Sequence, residues 1–276
     1  MAQTINTNVM SLNSQRNLNQ TNNLMATSIQ RLSTGLRVNS AKDDAAGLAI
    51  AERMSSQIRG MNVAMRNAND GISLAQTAEG ALGKVSDMAQ RMRELAVQSA
   101  NVTNDATDRA ALDLEFQELG AEITRTIAGT EFNGLNITAG DAGDLVFQIG
   151  SGTTANDTIT VTTKDMSAEA GITDVTGGNI TTVDDSTTAM DNIDSLLTLV
   201  NTERATYGAT QNRFEAVVST LEIASENQSA ARGRIMDADF ASETANMTRA
   251  QVLQQAGTAM LSQANSAPQN VLSLLR

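Results

Sequence analysis

Apolar residues recur at helical spacing in the opening segment of the chain. They lie three or four residues apart in two short runs: Ile5, Val9 and Leu12, and then Met25, Ile29, Leu32 and Leu36. Because side chains at these spacings share one face of an α-helix, the pattern predicts a helix with a single apolar stripe. Gly35 is expected to weaken this helix near its end.

A second and much longer helix is predicted between residues 44 and 100. Ser40 and Asp43 form the pattern of a capping box, whose side chains bind the free N–H groups at a helix start. Apolar residues then step by three and four along a seam made largely of alanine and methionine: Met54, Ile58, Met61, Met65, Ala68, Ile72 and Ala75, followed by Leu82, Val85, Ala89, Met92 and Ala96. Such side chains favour close, adaptable helix contacts.

Three further helices are predicted. The first covers about residues 105–128, and the second is expected to begin at a capping box formed by Thr188 and Asp191. The second helix carries apolar or aromatic residues seven apart: Val200, Tyr207, Phe214 and Leu221. The last helix, beyond Asp239, carries its own apolar stripe: Ala256, Met260, Ala264, Ala267, Val271 and Leu274. Pro268 is expected to kink or break the last helix.

The middle of the chain has a different composition. Between about residues 129 and 188, Gly, Thr, Asn and Asp predominate. Two runs of β-forming residues, 145–149 and 158–162, flank a turn-rich stretch and predict a β-hairpin near 144–163. The variable segment 165–187 is too polar for more than short strands or a loop, and we expect it at a solvated tip.

These elements predict a mainly α fold, with long antiparallel coiled-coil helices, paired N- and C-terminal halves and a small mid-chain β-hairpin. The distribution of charge adds to this picture, because all 31 acidic residues of a chain with net charge −12 lie from Asp43 to Glu243. The ends instead alternate apolar residues with Asn, Gln, Ser and Thr. Such ends bury too little apolar surface alone but pack well among identical copies, so the sequence predicts self-assembly through both termini.

Composition excludes several classes of function. The chain has no Cys and no His, which excludes Ser-His-Asp and Cys-His nucleophiles and Cys/His zinc sites. The chain contains no apolar run of about 18 residues, so the sequence predicts no transmembrane helix. The first ten residues lack the cationic and apolar regions of a cleaved secretory signal, so export would need another route. We therefore expect no catalysis, no cofactor, no nucleic acid and no membrane insertion.

Two other patterns have structural explanations. The adjacent carboxylates Asp43 and Asp44 lie at a predicted helix start, where acids interact favourably with the helix dipole, and Asp184 and Asp185 lie in a predicted polar loop. Neither pair is expected to bind a metal or to catalyse a reaction. The methionines of the seams predict core packing rather than a binding groove or a redox sensor.

Five blocks of the sequence resemble one protein family, bacterial flagellin. They are residues 5–8, 32–50, 90–101, 211–215 and 268–276. The blocks are long, nearly free of gaps and placed at both ends, so that the resemblance covers almost the whole chain. It is that of a short flagellin without large inserted outer domains.

The resemblance implies a structural subunit, not an enzyme, that polymerises into the helical flagellar filament used for swimming. Residues 1–42 and 236–276 would form the inner terminal coiled-coil domain, which is the filament core, and residues 43–235 the outer helical domain with its β-hairpin. The polymerisation stripe would comprise apolar residues of both ends: Ile5, Val9, Leu12, Met25, Ile29, Leu32, Met260, Val271 and Leu274.

The resemblance also implies partners. These are other copies of the chain, a flagellar export chaperone that binds the C-terminal helix, the hook-associated junction and cap proteins, and the host innate immune receptor Toll-like receptor 5 (TLR5). Secretion would follow the flagellar type III route to the extracellular flagellum. The receptor or filament interface would include five residues of the long helices: Gln90, Arg91, Leu95, Gln98 and Glu115. Residue types alone favour an ordinary salt bridge between Arg91 and Glu115.

Two other functions compete with a filament subunit. A hook–filament junction protein would share the terminal helices, but the unbroken block 90–101 and the closing run 271–276 favour the filament subunit. An intracellular coiled-coil scaffold would need charged ends for solubility, and these ends carry no acidic residue.

Overall fold

A computed structural model describes the backbone of residues 7–274 and the side chains of residues 7–266. The described helices are α1 Val9–Thr34, α2 Ala45–Ser99, α3 Ala106–Gly129, α4 Ala170–Thr176, α5 Val183–Met236 and α6 Phe240–Leu274. The strands are β1 Glu131–Phe132, β2 Leu135–Asn136, β3 Asp144–Gln148 and β4 Thr158–Thr162. The predicted fold class, mainly α with long helices and a mid-chain β-hairpin, is confirmed.

The chain forms two compact units. Unit 1 comprises Met1–Ser56 with Asn227–Arg276, and unit 2 comprises Gln57–Glu226. The predicted division into residues 1–42 with 236–276 and residues 43–235 concerns the layers of an assembled filament, and it stays a prediction.

In unit 1, α1 and α6 pair antiparallel. The amide of Asn8 at the start of α1 donates to the carbonyl of Ala264, whereas Arg31 near its end contacts Glu243. Helix α1 stops at Gly35, whose φ of 71° is left-handed and whose N–H bonds to the carbonyl of Arg31 at 2.9 Å. Since glycine adopts this conformation without steric strain, Gly35 ends the helix rather than weakening it from within.

The predicted capping box before α2 is wrong. The carboxylate of Asp43 accepts hydrogen bonds from the N–H and the hydroxyl of Ser40, at 2.9 and 3.0 Å, and so closes a turn that precedes the helix. The helix cap is the next residue, Asp44, which accepts from the N–H of Gly47 at 2.8 Å. The adjacent carboxylates therefore have different roles: Asp43 closes the turn and Asp44 caps the helix.

In unit 2, α2 and α5 run antiparallel and share one core with α3 and the β-hairpin. Arg93 of α2 meets Asp194 of α5, and Glu79 of α2 meets Gln211 further along α5. The predicted seam is buried in this core, from Ala68 to Ala96 on α2 and from Val200 to Phe214 on α5. The alanines of the α2 seam, such as Ala68, Ala75 and Ala89, are fully buried in this core.

The predicted hairpin forms between β3 and β4, with Leu145 opposite Val161. A second hairpin, β1–β2, was not predicted. Its turn residues Asn133 and Gly134 have φ of 52° and 78°, the conformation of a tight two-residue turn for which Asn-Gly is the preferred sequence. This dipeptide is the sequence signal that could have revealed the second hairpin.

The prediction that residues 165–187 contain no more than strands or a loop is wrong. Helix α4 lies within this segment. Four apolar side chains of the segment, two of them on α4, are buried in the core of unit 2: Met166, Ile172, Val175 and Ile180. Helix α5 also begins earlier than predicted, because Thr182 and Asp185 bind one another at its start. Thr188 lies inside the helix and donates its hydroxyl to the carbonyl of Asp184.

Helix α6 runs without interruption through Pro268 to Leu274, so the predicted break there is wrong. Within the described residues, no helix is both long and apolar enough to cross a membrane.

Candidate interaction surfaces

The contact between α1 and α6 is largely polar. The hydroxyl of Ser11 donates to Asn265 at 2.8 Å, and the amide of Gln254 donates to Asn22 at 2.9 Å. Ser11, which is 7% exposed, is among the residues buried between the helices. Specific hydrogen bonds of this kind fix the register of two helices more strongly than they add to stability.

The charged member of this contact is Glu243, which is 7% exposed. Its carboxylate accepts from Arg31 at 2.9 Å and from the hydroxyl of Ser28 at 3.0 Å. Burial by itself raises the pKa of Glu243, but the hydrogen bonds from Arg31 and Ser28 and the positive charge of Arg31 outweigh it and hold the pKa below the usual value. Glu243 therefore stays ionised between the helices at neutral pH.

Many of the apolar side chains of this helix pair face solvent instead. Residues that are about half exposed or more lie on both helices: Val9, Met10, Leu12, Leu24 and Ile29 on α1, and Phe240, Val252, Leu253 and Met260 on α6. In a folded chain such side chains would normally be buried, and a concentration of them on one unit is typical of an interaction surface.

The predicted polymerisation stripe is split by the structure. Val9, Leu12, Ile29 and Met260 are exposed. Two members, Met25 and Leu32, are half-buried. The side chains of Ile5, Val271 and Leu274 lie outside the described residues.

A second candidate surface lies on α2 and α3 in unit 2. Gln90, Arg91, Gln98 and Glu115 are exposed, whereas Leu95 is 1% exposed and belongs to the core. Leu95 thus offers no surface to a partner in this structure. Its packing holds in place the stretch of α2 that carries the other three α2 residues.

Arg91 is held by two carboxylates. Its Nε donates to Glu115 of α3 and its Nη1 to Glu94 of α2, each at 2.9 Å. The hydrogen bond to Glu115, followed by that to Glu94, raises the pKa of Arg91 above its ordinary value. The guanidinium is therefore always charged, and its orientation is set before any partner arrives.

Sequence reasoning missed three exposed apolar residues on the same two helices and their connection. Val97, Val102 and Leu114 are 50%, 86% and 71% exposed. All three lie outside the helical stripes that predict a core. For Val97 and Leu114 the available signal was an apolar residue off the stripe of its helix, and for Val102 an apolar residue in a polar connection.

Three of the four other carboxylates considered from the sequence have structural partners. Asp185 accepts hydrogen bonds from Thr182 at the start of α5, as Asp43 and Asp44 do before α2. Among the described residues, no group of three or more acidic side chains is placed to hold a metal ion.

Comparison with known proteins identifies the family. Residues 5–142 match the bacterial flagellin N-terminal helical region, and residues 190–275 match the bacterial flagellin C-terminal helical region. The chain belongs to the bacterial flagellin family. Flagellins are exported structural components of the flagellar filament and not enzymes, and this chain is a protein of that kind.

Curated flagellins align over their full length. A flagellin of Halalkalibacterium halodurans is 46% identical over 272 residues, which are 99% of each chain. The flagellar filament 33 kDa core protein of Treponema phagedenis is 42% identical over 285 residues, again 99% of each chain. The chain is therefore a short flagellin, similar in length to these relatives.

Solved structures give the same result for the fold. The crystal structure of Bacillus cereus flagellin matches with a TM-score of 0.50 and 32% identity, covering 56% of this chain and 88% of that one. A structure described as a putative flagellar hook-associated protein from Vibrio parahaemolyticus matches with a TM-score of 0.59 but 13% identity, covering 71% of this chain and all of that one. At that identity the second likeness concerns the fold alone.

Proposed function

We propose that this flagellin polymerises through its terminal helices into the helical bacterial flagellar filament used for swimming. The observation that supports this most directly is the arrangement of α1 and α6. Their mutual contact uses hydrogen bonds such as Ser11 to Asn265, while apolar side chains such as Leu12, Ile29 and Val252 stay exposed. These side chains would be buried by neighbouring subunits.

The energetics favour this arrangement. Burying one Val, Leu or Ile side chain contributes roughly 1.5–3 kcal/mol, so several such side chains per contact can offset the loss of freedom on association. The ends of the chain also carry few charges, since no acidic residue precedes Asp43 or follows Glu243. Many copies can therefore pack side by side without strong repulsion between like charges.

In the assembled filament, residues 1–42 and 236–276 would form the inner core and residues 43–235 the outer layer. The full stripe predicted from the sequence would line the contacts of the core, including Ile5, Val271 and Leu274. The exposed part of this stripe supports the assignment for α1 and for the described part of α6.

The test replaces exposed apolar side chains without touching the polar contact. The double variant Leu12→Ser with Ile29→Ser should remain folded, because both side chains are exposed, and should fail to form filaments. Leu12→Met with Ile29→Val is the matched control, since it keeps both positions apolar. Sedimentation and negative-stain microscopy after seeding measure assembly, and filaments formed by the serine variant at the wild-type critical concentration would refute the proposal.

The other bacterial partners would contact the subunit before export or at the ends of the filament. An export chaperone would cover the apolar face of α6, where Val252 and Leu253 are exposed, and the hook-associated junction and cap proteins would contact the ends of the filament. Secretion would follow the flagellar type III route. Co-purification of the subunit with its chaperone should be lost when the exposed residues of α6 become polar.

For the free subunit we propose recognition by TLR5 through α2 and α3. Gln90, Arg91, Gln98 and Glu115 would contact the receptor, and Leu95 would hold α2 in position from the core. The support is an arginine whose side chain is already fixed by Glu115, because pre-oriented arginines often contribute much of the binding energy at an interface.

The alternative, an ordinary surface salt bridge, makes a different prediction. Arg91→Ala should lower activation of a TLR5 reporter by about tenfold or more, as for an interface hot spot, with little change in thermal stability. Arg93→Ala is the matched control, because Arg93 lies two residues away on the same helix and also pairs with a carboxylate, Asp194, at 2.7 Å. Equal activation by both variants and the wild type would leave Arg91 with a structural role alone.

A further inference from the structure

A groove of about 600 Å³ lies between α1 and α6 in unit 1. Met10 and Leu18 of α1 line one side, and Leu253, Gly257 and Met260 of α6 line the other. A Cβ atom at Gly257 would lie 3.3 Å from the Cδ1 atom of Leu18, so a larger residue there would crowd the groove.

The groove brings together two unusual methionines. The chain has 13 methionines, and every one except Met1 has a described side chain. Ten of these twelve are buried or half-buried, in keeping with the packing role predicted for them. Met10 and Met260 are 65% and 61% exposed, and both line the groove.

We propose that Met10 and Met260 form a paired oxidation site, modified in the free subunit, shielded in the filament, and able to block assembly when oxidised. The proposal rests on the polymerisation proposed above, because the groove lies on the helices that would be buried by neighbouring subunits. It makes the assembly surface sensitive to peroxides.

The reaction is a transfer of one oxygen atom from hydrogen peroxide to each thioether sulfur. The O–O bond breaks, an S–O bond forms, the sulfur is oxidised by two electrons, and water leaves. A thiol-dependent methionine sulfoxide reductase reverses the change, with two electrons from thiols and release of water. Both directions need access to the sulfur, which the exposure of Met10 and Met260 provides.

Oxidation changes what the groove can bind. The thioether is apolar and flexible and adapts to a neighbouring side chain, whereas the sulfoxide is polar. A neighbouring subunit that covers the groove would bury both sulfoxide oxygens away from water. Because a buried polar group without a hydrogen-bond partner is unfavourable, we expect the critical concentration for assembly to rise roughly tenfold or more.

The first experiment measures access. Free subunits and filaments are exposed to the same dose of hydrogen peroxide, and peptide mass spectrometry follows each methionine. Met10 and Met260 should oxidise faster than the ten other described methionines in free subunits and should be protected in filaments. Equal oxidation of Met10 and Met260 in the two forms would overturn the proposal.

The second experiment measures the effect on assembly. At a subunit concentration just above the wild-type critical concentration, oxidised wild type should fail to elongate seeds, and treatment with the reductase should restore elongation. Met10→Leu with Met260→Leu should assemble after peroxide treatment as it does before. The control, Met25→Leu with Met247→Leu, removes two half-buried methionines from the same helices and should remain sensitive.

The outcomes separate the two proposals. Untreated wild type that does not polymerise would contradict the proposed function. Untreated wild type that polymerises, together with doubly oxidised subunits that elongate seeds normally, would overturn the oxidation site alone.

Discussion

The ring of Phe147 meets the ring of Phe214 edge to face, with centroids 5.5 Å apart and planes at 78°. Phe147 comes from β3 and Phe214 from α5, so this contact ties the hairpin to the long helices of unit 2. Phe214 is fully buried. Edge-to-face pairs of this geometry add specificity to the apolar burial of both rings.

Replacing Phe214 by Ala should destabilise unit 2 by about 3–5 kcal/mol, because the change leaves a ring-sized cavity in a closed core. Chemical denaturation followed by circular dichroism measures the loss. Ile223→Ala is the control on the same helix, since Ile223 is 59% exposed, and should change stability by about 0.5 kcal/mol or less. Similar effects of the two changes would argue against the packing described for Phe214.

Two glycines of α2 should respond to alanine with opposite signs. A Cβ atom at Gly71 would lie 2.7 Å from the Cζ atom of Phe214, whose ring is held by Phe147. Gly71→Ala should therefore destabilise the protein by about 1–2 kcal/mol despite the better helix propensity of alanine. A Cβ atom at Gly80 would meet no other atom within 4 Å, so Gly80→Ala should stabilise the protein by about 0.5–1 kcal/mol. Thermal melting of both variants is the measurement.

The contact of Glu243 with Arg31 should make the pairing of α1 and α6 depend on pH. Because the pKa of Glu243 is lowered in the folded chain, its stabilising effect is fully present above the ordinary glutamate pKa of 4.5. The effect is lost as the pH falls below 4.5 and through the lower folded value. Glu243→Gln should lower the free energy needed to separate α1 from α6 by about 1–2 kcal/mol at pH 7, as expected for lost hydrogen bonds to a charged group.

Amide hydrogen exchange in α1 measures this opening, with variant and wild type compared at the same pH so that intrinsic exchange rates cancel. The difference between the two proteins should shrink as Glu243 becomes protonated in the wild type. Asp194→Asn is a control outside unit 1, because Asp194 pairs with Arg93 in unit 2. A difference in α1 exchange that stays constant down to strongly acidic pH would contradict the role given to the ionised carboxylate.

Removal of residues 271–276 should abolish polymerisation while unit 2 stays folded. The deleted residues belong to unit 1, whereas the described core of unit 2 is formed by residues from Ala68 to Phe214. Seeded elongation measures assembly, and circular dichroism measures the remaining helix content. Filaments of normal length from the truncated chain would show that the last turns of α6 are dispensable.

The long helices could be predicted because their periodic seams extend over many turns. On α2, residues such as Ala75, Leu82 and Met92 repeat at helical spacing, and the structure buries all three. The helix starts were less predictable, because Ser, Thr and Asp bind backbone N–H groups both in caps and in isolated turns. Ser40 with Asp43 closes a turn, whereas Thr182 with Asp185 begins a helix.

The segment 165–187 was mispredicted for a different reason. Its few apolar residues, among them Ile172 and Val175, are separated by polar ones, and α4 has seven residues. A helix that short gains its stability from tertiary packing rather than from its own sequence pattern. Conversely, the apolar stripe of α1 and its need for other copies could be predicted. The polar contact of Ser11 and Ser28 with α6 could not, because it carries no periodic signal.

Because the contact between α1 and α6 is polar, the folded subunit keeps many apolar side chains of these helices on its surface. Apolar side chains such as Leu12 and Met260 are exposed to water in the single subunit. If these side chains form the proposed assembly surface, association through them, and not folding, would limit the concentration of free subunits that a cell can hold. A bacterium that synthesises this chain faster than it exports it would have to keep the free subunits bound to a chaperone or at low concentration.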